Sequence, residues 1–152
     1  MEIVRYESKY RQAFIDLNMS WLKKYFTPEE ADFAMLYGID GIIEKGGMAF
    51  FAVDESGEAV STCLIMPYKE DSWEICKFAT DERCQGRGIG SAVLLAAIGY
   101  AEGHGAKKLV ILSNTVLESA INLYRKFGFK EVPVDDMQYK RVNIQLERDL
   151  RE

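Results

Sequence analysis

Apolar positions in the first part of the chain recur with the period of helices. Residue 2 to residue 6 is a short alternating stretch that predicts a strand, and residues 9–25 carry large apolar side chains every three or four positions, which predicts a helix. Thr27 as N-cap, Pro28 in the first turn and the acidic residues after them predict the start of a second helix. That helical region ends at the glycine pair 46–47.

Strand patterns follow in the middle of the chain. Residues 48–53 and 58–66 are apolar stretches on either side of the turn sequence Asp-Glu-Ser-Gly, so they predict a hairpin. A third strand is predicted for residues 73–80. The apolar face of residues 89–101 then predicts a helix that stops near Gly103.

The last third of the chain predicts a buried strand, a helix and a final pair of strands. Residues 109–113 are nearly all apolar, as in a buried parallel strand. Thr115 and Glu118 fit a capping box for a helix that ends at Gly128. Two final strands are predicted for residues 129–132 and 137–146.

The order of these elements predicts a mixed α/β fold. Residues 73–113 form a β-α-β unit, whose strands are expected to be parallel with a right-handed crossover. The hairpins on either side imply antiparallel pairing. We therefore expect one mixed sheet with helices on both faces.

Composition and charge narrow the classes of function. The net charge is −5 and no run is rich in Lys or Arg, so a nucleic-acid partner is not expected. No apolar run approaches the ~20 residues of a membrane span, so no membrane partner is expected either. The three cysteines form no CxxC pair and are odd in number, which predicts reduced thiols and a cytoplasmic location. His104 is the single histidine, so no metal site is predicted.

The segment 84–90, CQGRGIG, places three glycines at the start of a predicted helix. Such turns bind phosphate through unblocked N–H groups and the helix dipole, although a plain turn is the alternative. A P-loop would need Gly-Lys-Ser/Thr, which is absent. A dinucleotide fingerprint fits Gly86 and Gly88 but has Ser91 in third place, and about 60 residues after the loop are too few for the rest of that fold.

A third interpretation accounts for more of the chain. Gln85 and the five residues after it match the Gln/Arg-x-x-Gly-x-Gly/Ala signature of the GCN5-related N-acetyltransferases (GNAT family). The longer stretch FATDERCQGRGIG resembles the strand-to-loop segment of the same family. Glu82 stands where proline is common in that family. The stretch LVILSNTVLESAINLYRKFGF resembles the second family signature, and the predicted element order is also that of the family, so the resemblance covers essentially the whole chain, 1–152, as one domain.

The resemblance implies a fold, a cosubstrate and its binding residues. The family fold is a mixed, mostly antiparallel sheet of six to seven strands, with a splayed parallel central pair and helices on both faces. The cosubstrate is acetyl-CoA, whose pyrophosphate would receive consecutive backbone N–H groups and whose pantetheine arm would insert beside the third middle strand. The implied binding residues are Phe78, Ala79, Thr80, Gln85, Gly86, Arg87, Gly88, Ile89, Gly90, Ser91 and Asn114.

Two residues are the candidate catalysts for acetyl transfer to an amine. An alkyl amine with a pKa near 10.4 is neutral in only about one molecule in 10³ at pH 7, so a base helps. Glu74 sits where some family members have their glutamate base, and strand alternation would place Glu74, Cys76 and Phe78 on one face. Tyr124 matches the family tyrosine that donates to the leaving thiolate. A surface carboxylate and a core aromatic are the structural alternatives.

The sequence does not identify the molecule that accepts the acetyl group. Trp21, Tyr25 and Phe26, with Phe33 and Tyr37, lie in the segment that lines the acceptor site in this family. The partner is expected to be a primary amine of a small molecule or peptide, with direct transfer in a ternary complex, because Cys84 has no activating neighbour to carry the acetyl group. The alternatives are a non-catalytic acyl-CoA sensor, transfer to a hydroxyl and a longer acyl group. A homodimer is compatible with the resemblance.

Overall fold

The computed structural model describes residues 1–136 and 139–151 of the chain. Within these residues the strands are β1 Glu2–Arg5, β2 Met48–Val53, β3 Ala59–Pro67, β4 Ser72–Thr80, β5 Lys108–Ser113, β6 Lys130–Val132 and β7 Ile144–Asp149. The helices are α1 Arg11–Tyr25, α2 Glu30–Tyr37, α3 Ile39–Glu44, α4 Ile89–Gly103 and α5 Glu118–Lys126, with short 3-10 helices at Ser8–Tyr10 and Glu82–Cys84. No helix among these residues is long and apolar enough to cross a membrane.

The strands form one sheet in the order β1-β2-β3-β4-β5-β7-β6. Every neighbouring pair is antiparallel except β4 and β5, which are parallel. One hydrophobic cluster packs α4 and α5 on one face of the sheet, and a second packs α1, α2 and α3 on the other. The predicted mixed, mostly antiparallel sheet with helices on both faces is therefore confirmed.

The structure differs from the helix predictions at three points. The N-cap of α2 is Glu29 rather than Thr27, because the Glu29 N–H donates to the carboxylate of Asp32 at 2.8 Å. The short helix α3 was not predicted. The helix α5 begins at Glu118 rather than at a Thr115 cap, because the side chain of Asn114 accepts the N–H of Val116 at 2.9 Å and forms a turn before the helix.

The final strand also lies later than predicted. Residues 139–141 form a turn and residues 142–143 have no regular structure, and residues 137 and 138 of the predicted strand lie outside the described residues. The strand β7 continues to Asp149 because its last, polar residues complete the ladder with β5, where Lys108 pairs with Asp149. Hydrophobic alternation alone missed this polar end.

A bulge interrupts β4 at Lys77, whose φ is +49°. Leu64 pairs with Cys76 and Thr62 with Ala79, so two residues of β4 stand opposite Cys63. Cys76 consequently packs with the α1–α3 cluster, whereas Phe78 packs with the α4–α5 cluster. The predicted common face of Glu74, Cys76 and Phe78 is therefore wrong for Phe78.

The two parallel strands separate soon after they meet. Their ladder comprises only Ser72–Lys108, Trp73–Leu109 and Glu74–Val110, while β5 stays paired to β7 along its whole length. The edge of β4 beyond Glu74 thus has no ladder partner on the side of β5. This separation opens the sheet at its centre and positions the candidate site.

Candidate active site

A cleft of about 570 Å³ lies between the separated ends of β4 and β5. Its walls come from β4 between Glu74 and Thr80, the end of β5, the glycine-rich loop before α4 and the part of α5 up to Tyr124. Trp21, Tyr25 and Phe26 from the end of α1 also line it. The cleft therefore draws residues from both faces of the sheet.

The glycine-rich loop presents bare backbone at one end of this cleft. Gly86 and Gly88 have φ of +81° and +78°, a conformation that side chains disfavour. The first backbone bond at the start of α4 is donated by Ala92 to the carbonyl of Gly88. Among the described residues, none of the N–H groups from residue 86 to residue 91 donates to a backbone acceptor, so these groups remain available to an anion.

Gly90 has a different role in the same loop. A Cβ at this position would lie 2.9 Å from the ring of Phe78 and 3.3 Å from the hydroxyl of Thr80. The absence of a side chain therefore lets the first turn of α4 lie directly against β4. This contact places the N-terminus of the helix beside the open edge of the strand.

Most of the predicted binding residues lie together in this cleft. Those that line it are Phe78, Ala79, Thr80, Gln85, Gly86, Gly88, Gly90, Ser91 and Asn114. Two do not line it: the Arg87 side chain is exposed, and Ile89 is buried in the α4–α5 cluster. These two residues therefore contribute backbone rather than side chains to the loop.

The amide of Asn114 is occupied within the chain. Its Nδ2 donates to the carbonyl oxygen of Arg141 at 2.7 Å, and its Oδ1 accepts the N–H of Val116 at 2.9 Å. Asn143 ties the same region to β5, since its N–H donates to the carbonyl of Ser113. Asn114 thus joins the end of β5 to the segment before β7 at the wall of the cleft.

Glu74 is a buried carboxyl that lines the cleft. It is 3% exposed and makes no hydrogen bond to another described residue. Burial raises its pKa to about 7, the charge of Asp136 adds to the rise, and Lys77 opposes it. A carboxyl group in this state exchanges a proton near neutral pH, as a general base requires.

Tyr124 lies in the wall of the same cleft. Its side chain is 5% exposed, and its ring packs against Phe78 and Phe129 at centroid distances of 6.0 and 6.2 Å. Burial raises the pKa of its hydroxyl above the usual range for tyrosine. The hydroxyl therefore stays protonated and is able to donate a hydrogen bond.

Sequence reasoning missed a charged cluster at the wall of the cleft. Asp32 is fully buried and accepts hydrogen bonds from Lys77 Nζ at 2.6 Å and from both terminal nitrogens of Arg141 at 2.6 and 2.7 Å. Burial disfavours the charge of Asp32, but the bonds from Arg141 and Lys77 outweigh it and lower its pKa to about 2. A lone lysine in the apolar stretch WEICKFAT was the available signal.

Aromatic rings surround this cluster. The guanidinium carbon of Arg141 lies 4.3 Å from the ring centroid of Tyr139, 5.6 Å from that of Phe26 and 5.7 Å from that of Trp21. Of the five aromatic residues predicted for the acceptor side, Phe33 and Tyr37 are exposed and do not line the cleft.

The other candidate groups are metal-binding side chains, the three cysteines and His104. Within the described ranges, no three or more His, Cys, Asp or Glu side chains are grouped so as to hold a metal ion. Cys63, Cys76 and Cys84 are free thiols. The His104 ring is exposed and stacks on Tyr100, with a centroid distance of 4.1 Å, away from the cleft.

Solved structures share this fold over nearly the full chain. An acetyltransferase of the GNAT family from Staphylococcus aureus Mu50 has a TM-score of 0.89 and 19% identity, with 98% of each chain covered. A ribosomal-protein-alanine N-acetyltransferase from Brucella melitensis has a TM-score of 0.81 and 16% identity, with 99% of this chain and 100% of that one covered. A GNAT superfamily phosphinothricin acetyltransferase from Sinorhizobium meliloti, in complex with AcCoA, has a TM-score of 0.79 and 17% identity, with 98% and 88% covered.

The sequence comparison gives the assignment of family. A search of curated proteins found no match to the chain. The model of the acetyltransferase (GNAT) family, however, matches residues 13–129, which include the glycine-rich loop, both strands of the cleft and Tyr124. The chain therefore belongs to the GNAT family of acetyltransferases.

Proposed function

We propose that the protein transfers the acetyl group of acetyl-CoA directly to a primary amine, with both substrates bound in the cleft between β4 and β5. The observation that carries the proposal is the conjunction, in one cleft, of a row of free N–H groups, a buried carboxyl with a pKa of about 7 and a buried tyrosine hydroxyl. The first group suits a phosphate, and the other two suit proton transfer. No other arrangement in the described part of the chain combines these features.

The residues present suit acetyl-CoA. The N–H groups of residues 86–91 would receive the pyrophosphate, supported by the positive end of the α4 dipole. The unpaired edge of β4 at Phe78, Ala79 and Thr80 offers backbone groups to the amides of the pantetheine arm. The complex of the Sinorhizobium meliloti enzyme with AcCoA supports the same cosubstrate here. Acetyl-CoA supplies the acetyl group as a thioester.

Glu74 would take the proton that the acceptor amine loses. The carboxylate of Glu74 takes one proton from the ammonium form of the acceptor. The neutral amine then forms the new C–N bond to the acetyl carbon as the C–S bond breaks, and the second proton on nitrogen passes to the departing thiolate. The raised pKa makes Glu74 a stronger base than an exposed glutamate, while it is still ionised in about half of the molecules near pH 7. A base of this strength suits the operating pH.

Tyr124 would stabilise the departing sulfur. Charge develops on the thiolate as the C–S bond breaks, and a hydroxyl that stays protonated donates a hydrogen bond or a proton to it. The packing of its ring against Phe78 and Phe129 fixes the side chain before the reaction begins. This preorganisation favours the transition state over the bound ground state.

The test is thiol release from acetyl-CoA over a panel of amines, polyamines, amino acids, aminoglycosides and peptides, with the acetylated product identified by mass. We expect at least one primary amine to yield thiol and N-acetylated product in equal amounts. Tight binding of acetyl-CoA without thiol release for every acceptor would contradict the proposal and indicate an acyl-CoA sensor.

A further inference from the structure

The part of the cleft near Trp21, Tyr25 and Phe26, called the acceptor end below, presents two positive side chains to a ligand. Lys77 and Arg141 both line the cleft, although their side chains are only 3% and 12% exposed. Their main counter-ion, Asp32, is fully buried and does not line the cleft. A ligand therefore meets the cations first, with the carboxylate behind them.

Both cations keep hydrogen-bonding capacity after they have bound Asp32. The ammonium of Lys77 has three N–H groups, and among the described residues only one acceptor, Asp32, takes part in a hydrogen bond with it. The guanidinium of Arg141 has five N–H groups, of which two bind Asp32, and Glu29 lies 3.5 Å from one terminal nitrogen. N–H groups without an acceptor are unusual on side chains that are so deeply buried.

The surroundings limit the shape of the ligand. Glu74 lies three positions before Lys77 on β4, on the same cleft wall. The aromatic side chains of Trp21, Tyr25 and Phe26 form the rest of this end. The space thus combines a proton acceptor, two fixed cations and an apolar wall.

We infer that the acceptor is a small α-amino acid with an apolar or aromatic side chain, whose carboxylate is bound by Arg141 and Lys77. The inference rests on the proposed function, since it assigns the acceptor of that same reaction. The amine of such a molecule faces Glu74, the carboxylate takes the remaining donors of the two cations, and the side chain lies against the aromatic wall. Asp32 acts as a positioning residue, because it holds both cations in place.

This arrangement disfavours acceptors that carry only positive charge. A polyamine or a simple alkyl ammonium ion carries no negative group to accept the remaining N–H donors of Lys77 and Arg141, so these buried donors would stay unpaired. A matching carboxylate forms charge-assisted hydrogen bonds with the N–H groups that Lys77 and Arg141 do not give to Asp32. The site should therefore discriminate on the carboxylate more than on the length of the side chain.

The first test compares matched acceptors with the wild-type protein. L-phenylalanine, its methyl ester and 2-phenylethylamine share the amine and the ring and differ only at the carboxylate. We expect kcat/KM for L-phenylalanine to exceed the values for both analogues by at least about 10²-fold, because the analogues leave buried donors unpaired. L-leucine and isoamylamine provide the same comparison without an aromatic ring.

The second test removes the cations. Arg141→Met and Lys77→Met should each lower the ratio of kcat/KM for L-phenylalanine to kcat/KM for 2-phenylethylamine, measured in the same variant, by about tenfold or more. Arg11→Met is the matched control, because Arg11 also pairs with a carboxylate, Asp40, and lies over an aromatic ring, Tyr37, but outside the cleft. The control should keep the full preference. If a cleft variant fails to fold, the comparison of matched acceptors with the wild-type protein still tests the inference.

The outcomes separate this inference from the proposed function. Equal or faster turnover of the amines that lack a carboxylate would overturn the inference and leave the acetyltransferase proposal intact. If no acceptor is turned over, calorimetry with the protein saturated by CoA decides. Binding of L-phenylalanine that is tighter than that of 2-phenylethylamine, and is lost in Arg141→Met, would support the carboxylate site although the proposed function had failed. Equal binding of L-phenylalanine and 2-phenylethylamine would overturn the inference of a carboxylate site.

Discussion

The carboxyl group of Glu74 holds its proton to higher pH than an ordinary glutamate because no described residue hydrogen-bonds it and little water reaches it. In Glu74→Gln the shape stays and the base is lost. We expect kcat/KM to fall by about 10²-fold at neutral pH and the deficit to shrink as rising pH supplies neutral amine. The wild-type profile should contain an acidic limb near pH 7 that the variant lacks.

The control for this prediction is Glu102→Gln, which alters an exposed carboxyl on α4 outside the cleft. Its pH–rate profile should match that of the wild type. A deficit in Glu74→Gln that does not depend on pH would show that Glu74 orients groups rather than accepting a proton.

The same residue makes a prediction about stability. The unfolded carboxyl ionises near pH 4.5 and the folded one near pH 7, so in this interval the folded state binds more protons and loses stability as pH rises. Gln does not titrate. Chemical denaturation should therefore show that the free energy of unfolding of Glu74→Gln rises relative to that of the wild type between pH 4.5 and pH 7, by up to about 3 kcal/mol. A difference that is constant across this range would contradict the burial of the charge.

Tyr124→Phe tests the leaving-group role. The ring and its contacts with Phe78 and Phe129 remain, so acetyl-CoA affinity should change little. The hydroxyl matters when charge develops on sulfur, and we expect kcat to fall by roughly 10- to 10³-fold, equivalent to about 1.4 to 4 kcal/mol of transition-state stabilisation. The measurements are kcat at saturating acceptor and the Kd of acetyl-CoA. A variant with wild-type kcat would assign Tyr124 to packing alone.

Among the elements, the loop before α4 has the most specific requirement. Gly88 has a φ of +78° and open space where a Cβ would stand, so Gly88→Val places a side chain beside the free N–H groups and strains the backbone. Calorimetry should show acetyl-CoA affinity at least about tenfold weaker in a variant that is still folded. Unchanged affinity would exclude the loop as the anchor.

Gly99 provides the control within the same helix. It is exposed, its φ is not in the left-handed region, and a Cβ there would meet nothing within 4 Å. Gly99→Ala should keep acetyl-CoA affinity and raise helix stability slightly, because alanine is the better helix former.

The elements also show which parts of the fold could be predicted from the sequence. The strand β2 and the first residue of α4 lie where the apolar pattern predicted them, because both depend on local alternation or period. The bulge at Lys77 depends on the register between β3 and β4, and the bonds from Arg141 to Asp32 join residues 109 positions apart, so no local pattern shows them. The glycines and the family resemblance predicted the loop and the catalytic candidates. The acceptor end had no comparable motif.

At the scale of the whole molecule, the bulge explains how one cleft uses both faces of the sheet. Phe78, the glycine-rich loop and Tyr124 belong to the face covered by α4 and α5, whereas Cys76 and the rings at the end of α1 belong to the opposite face. Without the extra residue in β4, Phe78 would turn away from the first group. In the proposed reaction, the donor and acceptor substrates would approach one another through this opening between β4 and β5.

Initial rates measured while both substrates are varied test this account most directly. Direct transfer in a shared cleft predicts double-reciprocal lines that intersect, and a protein whose mass shows no added acetyl group after incubation with acetyl-CoA alone. Parallel lines, together with one acetyl group on the protein at Cys84, would contradict it, because they would show an acyl-enzyme formed before the amine binds.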